Sequence, residues 1–274
     1  MKRFLALLPA LLVACLALYA AAVTATSLKP GGPSEFRVEF PAELRRLAGR
    51  GQLSPVAHAL VTIAVPESFD PARNWPVMVI SATSDPQYHS SRALLRAYLD
   101  TALGAGWILL AADPEEDVTV DQDEVLLRYA LDTAALAVLK LQWPGADTAA
   151  LGFGGFSGGA KYSGWLAAAF ANQGRTIMGL YLAGINEDTV SRAARELSIL
   201  SDTYRRVPIF LQSGEKDEIA TTADHRRVYD DLKRAGFRNV RIEYFAGPHT
   251  VDPTPMRMAL EWFREVAAQS QGAR

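Results

Sequence analysis

The pentapeptide Gly155-Phe156-Ser157-Gly158-Gly159 has the form Gly-x-Ser-x-Gly. A serine with glycines two positions before and after it suits a sharp strand-to-helix turn. The glycines let the two backbones approach closely, and the turn carries the hydroxyl clear of the sheet. Ala149 to Phe153 before it reads as a strand, and Gly158 to Ala171 after it as a helix of small residues. On such a turn Ser157 is a candidate nucleophile. The Gly158 amide at the helix start is a candidate donor to an oxyanion, reinforced by the helix dipole. A phosphate loop would need Gly-x-x-x-x-Gly-Lys-Ser/Thr, or Gly-x-Gly-x-x-Gly followed by an acid about 20 residues on, and the stretch Gly152 to Phe156 fits neither well.

A nucleophilic serine needs a base, and the base needs an acid to orient it. Of four histidines, His249 in Gly247-Pro248-His249-Thr250 follows the last expected strand, where an imidazole can swing over the edge of a sheet. The acid candidate is Asp217, in Ser213-Gly214-Glu215-Lys216-Asp217, just past the seventh expected strand. Glu215 and Asp188 are the alternatives, and a plain turn cap is the structural reading of Asp217. His89 follows the third strand as a pocket-lining or solvated residue, while His58 and His225 read as structural or exposed. Lys161 and Tyr162 read as helix packing or pocket floor, because an activating lysine would sit in Ser-x-x-Lys and that spacing is absent. The run Asp113-Pro114-Glu115-Glu116-Asp117 reads as solvated charge that could discourage anionic substrates or hold a cation.

The elements that must position these groups alternate along the chain. Strands are expected at 35–40, 59–65, 77–81, 107–111, 149–153, 177–182, 207–212 and 240–245. Helices are expected at 91–103, 123–141, 158–171, 188–199, 222–235 and 255–268. Near-continuous apolar runs such as Val77-Met78-Val79-Ile80 mark strands buried on both faces, so the pattern predicts a mostly parallel eight-stranded sheet with helices on both faces. Asp123 is a candidate N-cap, Gly236 a left-handed stop and Pro255 a first-turn proline. Residues 183–206 offer room for a small lid. No linker-like stretch divides residues 35–274, so they are read as one domain.

With Ser157, Asp217 and His249 in that order, residues 57 to 268 resemble the α/β-hydrolase superfamily, in particular esterases of the dienelactone-hydrolase-like and polyhydroxybutyrate-depolymerase-like type. The residues that carry the resemblance are Gly155-Phe156-Ser157-Gly158-Gly159, Ser213-Gly214-Glu215-Lys216-Asp217 and Gly247-Pro248-His249. It implies the α/β-hydrolase fold, with Ser157 as nucleophile, His249 as general base and then acid, and Asp217 as the group that fixes the histidine tautomer. It further implies a serine hydrolase cleaving carboxylic esters, whether small molecules or polymers. A peptidase on the same triad and a non-catalytic binding protein on the same scaffold are the alternatives. Many relatives shape the oxyanion hole with His-Gly or His-Gly-Gly after the third strand. Here Ser81-Ala82-Thr83-Ser84 stands in that place, making Ala82 and Thr83 the candidate second donors.

Met1-Lys2-Arg3 followed by twenty uncharged residues, Phe4 to Val23, has the layout of an export signal. Three outcomes fit residues 1–25: cleavage after Val23-Thr24-Ala25, lipid attachment at Cys15 within Leu12-Val13-Ala14-Cys15, or an uncleaved anchor long enough to span a bilayer. Each places the folded part outside the cytoplasm, with residues 26–34 as a linker and membrane contact only through the N-terminal segment. With 28 basic and 30 acidic residues the chain has no electrostatic footprint for nucleic acid, and 21% charged residues is too few for a disordered protein. A single cysteine excludes an internal disulfide and a cysteine-built zinc site. No His/Asp/Glu group has ligand spacing along the chain, so neither metal nor cofactor is expected.

Overall fold

Alternation of side chains along the strands sets the architecture seen in the computed structural model, which describes residues 27–49, 56–82, 90–116, 118 and 125–272. The N-terminal segment with Cys15, the positions Thr83 and His89, and the Asp123 cap lie outside the described residues. In chain order the elements are β1 (Pro33–Glu39), α1 (Ala42–Ala48), β2 (His58–Ala64), β3 (Val77–Ser81), α2 (Ser91–Gly104) and β4 (Ile108–Pro114). They continue with α3 (Val125–Gln142), β5 (Leu151–Phe156), α4 (Gly158–Asn172), β6 (Ile177–Ala183) and α5 (Thr189–Glu196). The last are β7 (Ile209–Gly214), α6 (Thr222–Arg234), β8 (Val240–Phe245) and α7 (Pro253–Gly272).

The eight strands form one sheet in the order β1-β2-β4-β3-β5-β6-β7-β8. Only the pairings made by β2, with β1 and with β4, are antiparallel. Val77 and Val79 of β3, with Ile108 and Leu110 of β4, face the layer formed by α1, α3, α4, α5 and α6. Met78, Ile80 and Leu109 face the opposite layer, where Leu94, Leu95 and Tyr98 of α2 meet Met256, Leu260 and Phe263 of α7. A period of two along the strands thus feeds two separate apolar cores, one on each side of the sheet.

Pairing lengthens or shifts several elements from their sequence positions. Strand β5 runs on to Phe156 because Gly154 and Gly155 pair with Ile80 and Ser81 on one side and with Tyr181 and Leu182 on the other. Glycine weakens a strand locally, but two neighbouring strands here supply the hydrogen bonds that hold it extended. Strand β4 likewise reaches Pro114 because β2 pairs with it to that point. Residues 29–34 are not a free linker: the Gly31 N–H donates to the Val65 carbonyl, and Pro33 and Ser34 belong to β1. Residues 183–206 form no lid, since Val190, Ala193 and Ala194 of α5 are buried in the core. Helix α1, too short and charged to stand out in the sequence, buries Leu44 and Ala48. Gly236 does end α6 in the left-handed region, at φ 91°.

The glycines flanking Ser157 are explained by backbone contact rather than by turn flexibility. A Cβ on Gly155 would fall on the Gly159 carbonyl group, and a Cβ on Gly159 would fall on the carbonyl oxygens of Ser81 and Ala82. The end of β5, the first turn of α4 and the end of β3 are therefore stacked backbone on backbone.

Two ionisable side chains on one helix are buried within this frame. Arg128 and Asp132, one helical turn apart on α3, are 4% and 3% exposed. Burial pushes the Asp132 carboxyl up from 3.8 to about 8, with Arg128 opposing the shift and Asp113 adding to it. Its Oδ2 has no hydrogen-bond partner among the described residues. The unfolded chain would lose this proton near pH 3.8, so folding must take it back up at any pH between there and about 8. The stability it contributes is complete below the lower value and is lost as pH rises to the upper one.

Replacing Asp132 by the isosteric, non-ionising Asn should therefore widen the variant's stability advantage over wild type by about 2 to 3 kcal/mol between pH 5 and pH 7.5. Urea unfolding at the two pH values measures this, and an unchanged difference would contradict a protonated Asp132. Separately, Gly159→Ala should lower unfolding stability by roughly 3 kcal/mol, because no flexible side chain is available to yield to the added methyl. A variant with wild-type urea midpoint would refute the backbone stacking.

Candidate active site

Ser157 sits between β5 and α4 with φ 54° and ψ −117°, a conformation that L-residues rarely adopt. Such backbone strain amounts to about 1 to 3 kcal/mol and persists only where the surroundings over-determine it. Here the Ser157 N–H donates to the Ala183 carbonyl at 2.8 Å, and the Ser157 carbonyl accepts from Ala160 and Lys161 at 3.1 and 3.3 Å. The residue is thus fixed from the sheet side and the helix side together. Gly158 follows as the first residue of α4.

His249 reaches the same edge from the loop after β8. Its ring packs on Phe156, the residue before Ser157, with centroids 4.5 Å apart. Gly184 makes room for it: at φ 61°, a Cβ there would lie 2.9 Å from both His249 Cε1 and Phe156 Cε2. The loop carrying the histidine is anchored by the Lys216 N–H, which donates to the Gly247 carbonyl at 2.9 Å.

Asp217 and His249 meet directly, with Asp217 Oδ2 at 2.7 Å from His249 Nδ1. The carboxylate side chain is 1% exposed and the imidazole 8%. Asp217 Oδ1 accepts from the Ile219 and Ala220 amides at 2.8 and 2.7 Å. Both oxygens are therefore committed: one is held by the loop's own backbone and the other is aimed at the ring. The turn-cap and ring-partner readings of Asp217 are both true at once. A carboxylate on Nδ1 selects the tautomer whose Nε2 bears the lone pair, as a general base requires.

Of the competing acids, Glu215 is exposed and Asp188 has another partner. Asp188 caps α5, accepting from the Ser191 N–H at 2.9 Å, and burial raises its carboxyl above the usual range. His225 is fully buried, and burial lowers its pKa. Its Nδ1 lies 3.1 Å from the Thr221 carbonyl. Lys161 approaches Glu187 at 3.8 Å, and the Tyr162 ring lies under the Arg128 guanidinium at 6.0 Å.

Two sequence expectations change. Ala82 does not supply an oxyanion donor, because its N–H is already given to Ser91 Oγ at 3.1 Å. Of the run 113–117, whose Asp117 lies outside the described residues, Asp113 is not simply solvated: it belongs to β4 and accepts from the Ser91 and Arg92 amides at 2.6 and 2.9 Å. Folding also makes a group that linear spacing hides. One ligand-type atom from each of His58, Glu115 and Glu116 lies within 4.8 Å of the others. Within it Glu116 accepts from the Ala57 and His58 amides, and Arg37 Nε donates to Glu115 at 2.7 Å. The antiparallel β2–β4 pairing creates this proximity, which no sequence spacing could reveal.

The sequence matches no family model and no curated protein. Solved structures do resemble it. A cold-adapted esterase from an Arctic intertidal metagenomic library aligns with a TM-score of 0.57 at 13% identity, over 88% of this chain and 97% of that one. An alpha-beta serine hydrolase homologue from Coxiella burnetii aligns at 0.54 and 12% identity, over 85% and 96%. An acylaminoacyl peptidase from Pyrococcus horikoshii aligns at 0.52 and 15% identity, over 85% of this chain but 41% of that one. Likeness at such low identity speaks to architecture, and it agrees with the strand order and the strand-to-helix turn at Ser157. The chain has the α/β-hydrolase fold.

Proposed function

We propose that this protein is an exported serine hydrolase that cleaves carboxylic esters through an acyl-enzyme. The observation that carries the reading is the 2.7 Å contact of Asp217 with His249, whose ring packs on the residue preceding the strained Ser157. In this reading His249 Nε2 takes the proton from Ser157 Oγ as the oxygen attacks the ester carbonyl. The resulting imidazolium is stabilised by Asp217 and returns the proton to the departing alcohol. A water deprotonated by the same nitrogen then releases the acid. The Gly158 amide and one amide after Ala82 stabilise the tetrahedral oxyanion, and with Ala82 itself engaged, Thr83 is the remaining candidate.

Small-molecule or polymeric esters are the substrates this reading implies, and no cofactor enters it. Export is supported by the basic start and the uncharged run from Phe4 to Val23, with Cys15 as a lipidation candidate. The esterase that shares the fold over nearly its whole length, where the acylaminoacyl peptidase does so over 41% of its own, supports the ester reading over the peptidase one.

A fluorophosphonate probe should label the wild-type protein and leave Ser157→Ala unlabelled. Equal labelling of both, or of neither, would remove the catalytic assignment and favour a binding protein on this scaffold. On short-chain aryl esters, His249→Ala should lower kcat by roughly 10⁴-fold while leaving the protein folded by circular dichroism. Hydrolysis at the wild-type rate in that variant would exclude His249 as the base.

A further inference from the structure

The edge of the sheet opposite Ser157 is rich in arginine without matching acid. An open groove of about 1480 Å³ lies along it, past Trp75 before β3, Ala150 before β5 and Pro208 before β7. Its lining holds four arginines, Arg73, Arg175, Arg206 and Arg264, and one acid, Asp202. Asp202 is met by Arg238 at 3.1 Å. Among the described residues no carboxylate forms an ion pair with any of the four. Arg73 and Arg206 are exposed, and the Arg73 guanidinium lies over the Trp75 ring at 4.9 Å. The chain as a whole has 28 basic and 30 acidic residues, and arginines elsewhere sit beside acids: Arg226 meets Asp230 at 3.3 Å and Arg257 meets Glu261 at 3.7 Å. This edge is therefore a local positive field on a slightly acidic protein.

The N-terminal part of the chain arrives at the same edge. Pro33, the first residue of β1, pairs with Ala64, which pairs with Leu109 at the start of β4. Strand β1 therefore begins where the parallel strands begin, and the Gly31 N–H fixes the preceding chain there through the Val65 carbonyl. The nine residues 24–32 separate β1 from the uncharged run that ends at Val23. Nine residues reach at most about 30 Å, so a membrane holding that run lies close to this edge. Ser157 stands at the other end of β5, whose six residues place it roughly 20 Å away.

We propose that the arginine-lined groove docks on the anionic phospholipid headgroups of the membrane that receives the N-terminal segment, with Ser157 facing away from the bilayer. The proposal takes the position of the membrane from the anchored form of the export reading and is independent of the catalytic one. A guanidinium presents paired N–H donors that match phosphate oxygens. The groove also exceeds the roughly 300 to 1,000 Å³ of small-molecule sites, so it suits a surface of headgroups rather than one soluble ligand. Each arginine near anionic lipid contributes only about a fivefold change in occupancy. A tether raises the effective concentration of the surface, which lets such weak contacts act together. Ser157 then meets molecules arriving from the aqueous side rather than the lipids of that bilayer.

The test reconstitutes the full-length protein into vesicles of phosphatidylcholine alone or with roughly one third phosphatidylglycerol, and reads amide hydrogen exchange. Amides of 104–106 and 201–206 should exchange roughly tenfold more slowly on the anionic vesicles than on the neutral ones, and the difference should vanish near 1 M salt, where the Debye length is about 3 Å. Arg73→Gln/Arg206→Gln should weaken docking by about 25-fold and remove the difference. Arg226→Gln/Arg257→Gln, an equal loss of charge on helix surfaces outside the groove, should keep it. Equal exchange on the two kinds of vesicle, protection of 213–219 and 247–251 in its place, or equal loss in both double variants would overturn the proposal. The same slowing by inorganic phosphate without vesicles would assign the groove to a soluble anion and overturn it too. If the full-length chain does not float with neutral vesicles, the anchored reading falls. The docking surface then stands if anionic vesicles retain wild type but not Arg73→Gln/Arg206→Gln, and falls if they retain both or neither.

Discussion

A single residue held in a left-handed conformation organises the functional edge of the sheet. Ser157 at φ 54° ends β5 and begins α4 with no loop between, so the chain must reverse within one residue. That reversal forces the first turn of the helix back against both β5 and the end of β3. Only glycine at 155 and 159 leaves room for the carbonyl groups that meet there. Strain at the serine and crowding at the glycines are two aspects of one constraint, and it is relieved by hydrogen bonds from the serine backbone to β6 and to α4 itself.

Around this point the polar chemistry is distributed by burial. Carboxylates at this edge face several helix N-termini, whose unpaired amides are ready partners. Asp113 serves α2, Asp188 serves α5, and Asp224 makes a reciprocal cap with Thr221 on α6. Asp217 differs in dividing its two oxygens between backbone and imidazole, which holds the Nδ1 side of the ring in place. Asp132, which has neither an amide nor a histidine, is kept protonated by its surroundings. Five acids of the same type thus take cap, orienting and neutral roles according to what lies around them.

Periodicity and turn chemistry carried most of the architecture. All eight strands were legible, the inner ones as near-continuous apolar runs, which burial on both faces requires, and the edge strand β1 as a more polar segment with an exposed face; the helices from Ser91 onward were legible from their spacing. The ends of β4 and β5 were not, since Asp113, Pro114 and the glycines 154 and 155 argue against a strand locally; the first two are held extended by pairing with β2, and the glycines by β3 and β6 on either side. Helix α1 and the anchoring of residues 29–34 escaped for the same reason: each depends on contacts distant in sequence.

Chain order and residue type were enough to put Ser157, Asp217 and His249 forward as candidates, because a nucleophile, its base and its orienting acid would each demand a particular functional group after a particular strand. The sequence could also state that the oxyanion donor after β3 is only a backbone amide, a group every non-proline residue has. Which amide is available was decided by tertiary structure alone. Ser91 lies nine residues from Ala82 and thirty-seven from Arg128 along the chain, and only the packing of α2 and α3 beside the end of β3 brings the three together. Hydrogen bonding between groups that local pattern leaves unrelated is settled by the fold, and here it removed Ala82 from the site that its position in the sequence had suggested.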